Sequence, residues 1–389
     1  MPRRRNGTDP STSEACLDTG LSSNQGYAFW IANLLDLASF FQWAVAKVND
    51  SEKMNQSLSE AGMTEKLLFL IQMRTDVARS IEFLYRAWLS GLFRSISVVG
   101  VTAILDYQGL TGFSQAENSV TDASPFKKLM SPFGIFTSGN AYLSEKPKSI
   151  EDLIMSLDEL TGSMSLMDLQ PELSIQVLNS LFSKIGAATF NQFLLRKNYA
   201  SWKRGIQIQY NISRLDEWAL SLQTRNPGQF FSSSKPASPT TPRSSSEGPT
   251  FGGTSLVLRQ MEPLVQAVKL LQLAKTSVAT DVAALTEACP RLNLSQIRKI
   301  LICYVPDAYE DGPVSQEVIK ELSSKILTTE HSSTSLKEIL PEINAQNCSM
   351  QLSIRPRKPE RRLEIPTSFI PSQLWKIFTL FDLVGENIL

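Results

Sequence analysis

Residues 193–218 read FLLRKNYASWKRGIQIQYNISRLDEW, which combines a dense group of cations and aromatic residues with a regular apolar pattern. Apolar positions recur at helical spacing in its second half and just beyond it, at Ile208, Ile212, Leu215, Trp218, Ala219 and Leu222. The polar residues between them fall mostly off that face: Gln207, Gln209, Arg214 and Asp216. The pattern therefore predicts an amphipathic helix. Ser201 is placed to cap it, because a Ser side chain there accepts hydrogen bonds from the free backbone amides of the first turn.

A second helix is predicted immediately upstream. Its apolar positions keep the same spacing from Leu173 to Leu194, and it ends near residues 196–197. The turn between the two helices concentrates four cations, Arg196, Lys197, Lys203 and Arg204. The stretch is therefore predicted to be a helix-turn-helix joint with its charge gathered at the turn.

The joint resembles the central motif of the dilute domain, which is the cargo-binding globular tail of class V myosins. The resemblance rests on residues 196–197, 201–211 and 215–218. Residues 262–272 and 294–301 look like the next two helices of that family. The likeness is specific over roughly residues 150–327, weaker over 27–115 and absent at both ends, and it is strongest toward fungal members.

Composition excludes several classes of protein. Of the 389 residues 42% are apolar, which supports a sizeable core, and the 38 Lys and Arg residues balance the 38 Asp and Glu residues. A chain without net charge has no global attraction for nucleic acid, so no nucleic-acid partner is expected. Four scattered cysteines, no Cys-x-x-Cys pair and the single histidine His331 predict a reducing compartment, no structural metal and no cofactor.

The sequence shows neither a signal peptide nor an obvious membrane span. The basic start is followed by polar residues, and the most hydrophobic window, 96–105, is far shorter than the roughly 20 residues that a span needs. The chain is therefore expected to be cytoplasmic and not to cross a membrane.

The predicted fold is all-α, with two helical bundles side by side that meet at the joint. Stretches rich in Ser, Thr, Pro and Gly cannot build a core, whereas the apolar chain end is expected to pack back onto the body. The predicted units are 1–25, disordered; 27–196, first bundle; 197–327, second bundle with a disordered insertion at 225–254; 328–362, a polar and basic linker; and 363–389, a packing segment. Within the insertion, Ser238 and Thr241 each precede a proline and are predicted phosphorylation sites.

No catalytic constellation is visible. One histidine in a polar stretch leaves a single possible base for a Ser-His-Asp or Cys-His site. The glycine-rich run at 248–253 precedes a helix without a strand before it, which does not suit a phosphate-binding loop. The sequence predicts a protein that is not an enzyme and contains no motor domain.

The basic turn admits two interpretations, a solvated helix end or a site for an acidic partner surface. The resemblance favours the second, because members of the dilute-domain family use the matching surface for Rab GTPases or vesicle adaptors. By that likeness the predicted partner-binding residues are Arg196, Lys197, Tyr210, Lys269 and Lys275, and Lys203 and Arg204 are added because they belong to the same cation cluster. Tyr210 is expected to be exposed, since it points away from the apolar stripe, whereas Trp202 and Trp218 are expected to pack in the core.

The resemblance implies a cargo- and adaptor-binding module that links vesicles or organelles to actin-based transport. The implied partners are protein adaptors, Rab-type GTPases and, if the chain is a fragment, a myosin motor. Two alternatives stay open. One is a junctional scaffold of the afadin type, although no Ras-association, forkhead-associated or PDZ module is visible. The other is a small-GTPase regulator that acts through the same basic surface.

Overall fold

The structure is a computed structural model that describes residues 23–54, 60–110, 148–196, 199–225, 257–273, 281–306, 314–330 and 337–351. Within these ranges the regular structure is entirely helical, which confirms the predicted all-α class. The helices are α1 Ser23–Met54, α2 Glu60–Leu105, α3 Ile150–Leu166, α4 Pro171–Leu195, α5 Trp202–Arg225, α6 Glu262–Leu273, α7 Val282–Ala288, α8 Leu294–Cys303 and α9 Gln316–Glu330.

Local sequence accounts for several helix starts. α3 opens with a capping box in which Ser149 Oγ accepts from the Asp152 amide (3.1 Å) and Asp152 Oδ2 accepts from the Ser149 amide (2.7 Å). α8 opens in the same way with Asn293 and Gln296. α4 has Pro171 at its first position, where the missing N–H costs nothing.

α2 is the central helix of the first half, and α1, α3 and α4 pack against it. The second half is arranged around α6, which contacts α5, α7 and α8, while α9 packs on α8. The two groups of helices match the predicted pair of bundles, but α4 also contacts α6 and α8, and α5 contacts α2 and α3. The buried apolar residues consequently form one continuous core through both halves.

α1 and α2 are long and apolar enough to cross a membrane by length and composition, over Ser23–Asn49 and Leu67–Leu105. The apolar part of α2 is therefore much longer than the window 96–105 singled out in the sequence. Packing explains the hydropathy, because 56% of each apolar window is buried inside the protein. Trp88 of α2 is an example, with its ring buried and its Nε1 donating to Asn24 Oδ1 (3.1 Å).

The segment 337–351, which belongs to the predicted polar and basic linker 328–362, lies against the helical body. The Asn191 side chain of α4 donates to the Leu340 carbonyl (3.0 Å) and accepts from the Leu340 amide (2.8 Å). Farther along, the Met350 amide donates to Glu82 of α2 (3.1 Å). The side chains that hold the segment belong to distant helices, so its own polar composition could not reveal the contact.

Several predicted units fall partly or wholly outside the described residues. The predicted disordered unit 1–25 lies outside the described residues up to residue 22. α1 begins at Ser23, four residues before the predicted start of the first bundle at residue 27. Nearly all of the predicted insertion at 225–254 and the whole packing segment 363–389 also lie outside.

Candidate partner-binding surface

The α4–α5 joint is built as the sequence predicted, with Ser201 at the start of α5. Its hydroxyl accepts from the Arg204 amide (3.3 Å), and its carbonyl accepts from the Gly205 amide (2.9 Å). The neighbouring Ala200 carbonyl accepts a hydrogen bond from the Val305 amide (2.7 Å), which ties the joint to the chain just after α8. The start of α5 is thus held by both local and distant hydrogen bonds, and we call the region of residues 196 and 199–205 the corner; residues 197–198 of the predicted turn lie outside the described residues.

The polar residues on the inner side of α5 hold the end of α2. Asn211 is fully buried, and its Nδ2 donates to the carbonyls of Ala103 (3.2 Å), Ile104 (3.0 Å) and Tyr107 (3.0 Å). The last carbonyls of a helix have no partner within the helix, so Asn211 caps α2 from another part of the chain.

Gln207 completes this polar contact from the same side of α5. Its Nε2 donates to Asn211 Oδ1 (3.3 Å), and its Oε1 accepts from the Leu110 amide (3.2 Å). The expectation that Gln207 falls off the buried face was wrong, because the buried surface of α5 includes the polar end of α2 as well as apolar side chains.

Arg196, the first predicted site residue, faces the same end of α2. Its guanidinium donates to Tyr199 Oη (2.9 Å) and lies 3.9 Å from Asp106 Oδ1, while the Tyr199 hydroxyl donates to the same carboxylate. Burial, followed by the hydrogen bond with Asp106, raises the pKa of Tyr199. The Arg196 side chain is 51% exposed, so it is available at the surface with part of its charge already balanced.

Arg204 and Tyr210 also turn toward residues 106–110. When the Gln108 amide is oriented with its oxygen toward Arg204, it accepts from both terminal guanidinium nitrogens (2.8 and 3.0 Å). Tyr210 lies so close to Gly109 that a Cβ atom there would be 3.2 Å from its ring. Tyr210 is half-buried by this contact, so the expectation of an exposed tyrosine was wrong.

The two tryptophans of α5 divide between surface and core. Trp218 is 4% exposed, and its Nε1 donates to Asp158 Oδ1 of α3 (2.9 Å), so its predicted core role is confirmed. Trp202 is 41% exposed, and its predicted core role was wrong. Its place in the first turn, directly after the cap, puts it on the outer side of the corner.

Lys269 lies on α6, and its Nζ donates to the Ala288 carbonyl at the end of α7 (3.1 Å). It borders a groove between α5 and α6 that is also lined by Gln209 and Asp216. The predicted site thus separates into Arg196, Arg204 and Tyr210 around the end of α2 and Lys269 at the groove, with Lys203 half-buried in the first turn of α5. Lys197, Lys275, Ser238 and Thr241 lie outside the described residues.

Sequence reasoning missed the structural role of Asn211 and Gln207 and the position of Asp216. A signal existed for Asn211, since it lies three residues after Ile208 and four before Leu215, inside the apolar stripe. A polar residue in such a stripe is buried and needs hydrogen-bond partners. No comparable signal marked Asp216, which looks like an ordinary solvated position.

Comparisons with known proteins agree with this architecture. Residues 176–308 match the family model described as the DIL domain. Myosin-2 of Lachancea kluyveri is 25% identical over 299 residues, 77% of this chain and 16% of that protein. Human unconventional myosin-Vb is 27% identical over 291 residues, 72% of this chain and 13% of that protein. The chain thus spans less than a fifth of the length of these two relatives.

Solved structures show the same fold. A structure of Myo2-GTD in complex with Mmr1 matches with a TM-score of 0.61 and 19% identity, over 95% of this chain and 77% of that one. A structure described as the myosin V cargo binding domain matches with a TM-score of 0.59 and 19% identity, over 95% and 78%. The chain is therefore an all-α protein with the fold of a cargo-binding tail. Residues 176–308 are similar to the DIL domain and the chain is similar in sequence to class V myosins, which confirms the resemblance seen in the sequence.

Proposed function

We propose that this chain is a protein-binding module, without enzymatic activity, that recognises adaptors on vesicles or organelles and couples them to actin-based transport in the cytoplasm. The observation that supports this most directly is the DIL-domain match at 176–308, which lies within the fold of a cargo-binding tail. Related tails have been solved in complex with Mmr1, Smy1 and Inp2, all of them proteins. Adaptors are accordingly the proposed main class of partner, and a Rab-type GTPase is a proposed second class.

Two surfaces are proposed to carry the binding. One is the basic corner formed by Arg196, Lys203 and Arg204, to which Lys197 belongs by sequence. The other is the groove bordered by Lys269, with Lys275 following it in sequence. The exposed part of Arg196 and the exposed Trp202 support the corner, because arginine and large aromatic side chains are enriched in protein interfaces.

The test is capture of partners from cytosol on the immobilised chain, followed by mass spectrometry. Recovery of adaptors is expected, and reversal of Lys197 and Lys203 to Glu should weaken their binding by several kcal/mol at low salt, because like charges at an interface repel. Melting followed by circular dichroism serves as the control, since these two changes should leave the fold intact. Normal binding of every recovered partner to the charge-reversed protein would remove the basic corner from the proposal.

Nucleotide assays separate this function from the alternative of a GTPase regulator. Candidate GTPases that bind the chain should hydrolyse and exchange nucleotide at unchanged rates. An accelerated rate that disappears after a point mutation in this chain would replace the adaptor function with a regulatory one.

Phosphorylation of Ser238 and Thr241 is proposed to regulate the same module. Each phosphate adds about −1.5 to −2 charges next to Lys235 and Arg243. Alanine and glutamate variants at both positions should therefore differ in partner affinity, and equal affinities would argue against regulation at these sites.

A further inference from the structure

The groove between α5 and α6 encloses a cavity of about 280 Å³. The two helices touch at Gly205, where an added Cβ atom would be 3.3 Å from the Leu271 side chain. One turn later the Gln272 amide donates to Gln209 Oε1 across the gap. The cavity lies next to that hydrogen bond and extends along α5 as far as Asp216. The close packing at Gly205 is therefore not continued along the part of α5 that lines the cavity.

Most of the cavity wall is aliphatic, and one acid enters it. Ile212, Leu258, Val265 and Val268 supply the apolar surface, and Asp216 supplies the carboxylate. Asp216 Oδ1 is buried and has no hydrogen-bond partner within the described part of the chain. A buried carboxylate oxygen without a donor is costly, and in a native protein it calls for a partner that supplies one.

The charges around Asp216 leave its own charge uncompensated. Burial, followed by the neighbouring charge of Glu217, raises the pKa of Asp216 to about 6, so the group is largely ionised at neutral pH. Lys269 is the charged residue that faces the cavity from α6, and its ammonium group is bound to the Ala288 carbonyl. Among the described residues no cation forms an ion pair with Asp216.

We propose that the cavity between α5 and α6 is a subsite for one basic side chain of a partner protein, an arginine in preference to a lysine, whose guanidinium pairs with the Asp216 carboxylate. The inference rests on the proposed function and specifies the chemistry of one contact within it. A cavity slightly smaller than the roughly 300–1,000 Å³ of small-ligand sites accommodates a single side chain.

The wall chemistry favours arginine. Its methylene stem packs on aliphatic surface while its head remains polar, and its guanidinium is more weakly hydrated than an ammonium group. Its several N–H donors can serve the Asp216 carboxylate together with the Ser213 hydroxyl and the Gln209 amide oxygen at the same cavity. A metal ion is the weaker alternative, because the described residues contain no group of three His, Cys, Asp or Glu side chains able to hold one.

The test uses the full chain and a random peptide library displayed on phage. Selected peptides should share an arginine, and a synthesised peptide should lose about tenfold or more in affinity when Asp216 is replaced by Asn, as expected for the loss of a charged hydrogen bond. Glu217→Gln is the matched control, since it removes one negative charge from the next residue, which is exposed. That variant should stay within about twofold, as is usual for a peripheral charge.

A double-mutant cycle tests whether the peptide arginine contacts Asp216 directly. Replacing the peptide arginine with citrulline, which is neutral and of the same shape, should cost as much affinity as Asp216→Asn, and the two changes together should cost no more than either one. Affinity should also rise with pH between about 5 and 7 for the wild type and stay flat for the Asn variant. Selected peptides without a basic residue, additive losses or equal pH profiles would each overturn the inference.

Capture from cytosol separates this inference from the proposed function. If Asp216→Asn recovers the same adaptors with unchanged affinity, the subsite is wrong and the adaptor function stands. If the wild-type chain recovers no adaptor while arginine peptides still show the coupling, the adaptor function is wrong and the subsite stands.

Discussion

The two faces of α5 differ in whether their polar groups have hydrogen-bond partners. At about 100° per residue, Asn211 and Trp218 lie roughly 20° apart around the helix, whereas Asp216 lies about 140° from Asn211. On the first face every polar group named above has a partner, with three carbonyls for Asn211 and a carboxylate for Trp218. On the second face a carboxylate oxygen is buried without one.

The contrast separates a structural from a binding role within one helix. Satisfied buried polar groups fix a unique arrangement of helices, since displacing them leaves several groups unpaired at once. An unpaired acid that lines a cavity lowers the stability of the isolated chain at neutral pH and is available to a ligand. The sequence motif at 201–218 therefore serves first to assemble α5 with α2 and α3, and the groove face carries the additional capacity.

The largest effect on stability is expected for Trp218→Ala, on the face of α5 where the polar groups have hydrogen-bond partners. Removing a buried indole that packs near Phe182 and donates to Asp158 should lower the free energy of unfolding by about 3–5 kcal/mol. Chemical denaturation measures this. Trp218→Phe is the control, because it keeps an aromatic ring and loses the hydrogen bond. Equal losses in the two variants would show that the hydrogen bond to Asp158, not the ring, accounts for the effect.

Asn211→Ala should come next, with a loss of about 2–3 kcal/mol in the free energy of unfolding. The change leaves the final carbonyls of α2 without their donor in a buried place, and unsatisfied groups cost about 1–3 kcal/mol each. Gln209→Ala is the matched control on the groove face, where an exposed amide should contribute within about 0.5 kcal/mol. Similar losses for both variants would remove the distinction between the two faces.

The sequence predicted the elements whose evidence is local. The apolar spacing from Ile208 to Leu222 defines α5, and Ser201 marks its start, because both signals lie within the helix itself. The partners of Asn211 are carbonyls about 100 residues upstream at the end of α2, and the sequence pattern of α5 does not predict them. The likeness to a known family supplied the fold, but it did not distinguish residues that hold the helices from residues that face a partner.

The candidate site was predicted in part for the same reason. Cations at the turn were visible as a cluster, yet Arg196 and Arg204 turn toward Asp106 and Gln108, which lie far upstream in the sequence, just after α2. Asp216 could not be recognised, because its environment depends on how α5 packs against α6. The packing between two helices leaves no trace in the periodicity of either one.

Asp216→Asn should stabilise the isolated chain by about 1 kcal/mol at pH 7, a value reduced for partial solvent exposure. The pKa of this carboxyl rises from its usual 3.8 to about 6 in the folded state. Between those values the folded protein binds more protons than the unfolded chain, so stability falls as pH rises. The difference between variant and wild type should thus be near zero below about pH 4 and reach its plateau near pH 7. Unfolding curves at several pH values measure it, and a constant difference would contradict the burial of Asp216.

The smallest effect is expected one residue away, and its sign should be opposite. Glu217 pairs with Arg214 (2.6 Å) on the exposed side of α5, an arrangement three residues apart that contributes about 0.2–0.5 kcal/mol. Glu217→Gln should therefore lower the free energy of unfolding slightly. Part of this loss is offset, because the change also removes a negative charge that repels Asp216. Salt separates the two contributions, because about 1 M salt screens the exposed pair of Glu217 and Arg214 more strongly than it screens the partly buried Asp216. Unfolding in low and high salt should show the loss at low salt only. A salt-independent loss would mean that Glu217 belongs to the groove, and the contrast between neighbouring carboxylates would then be incorrect.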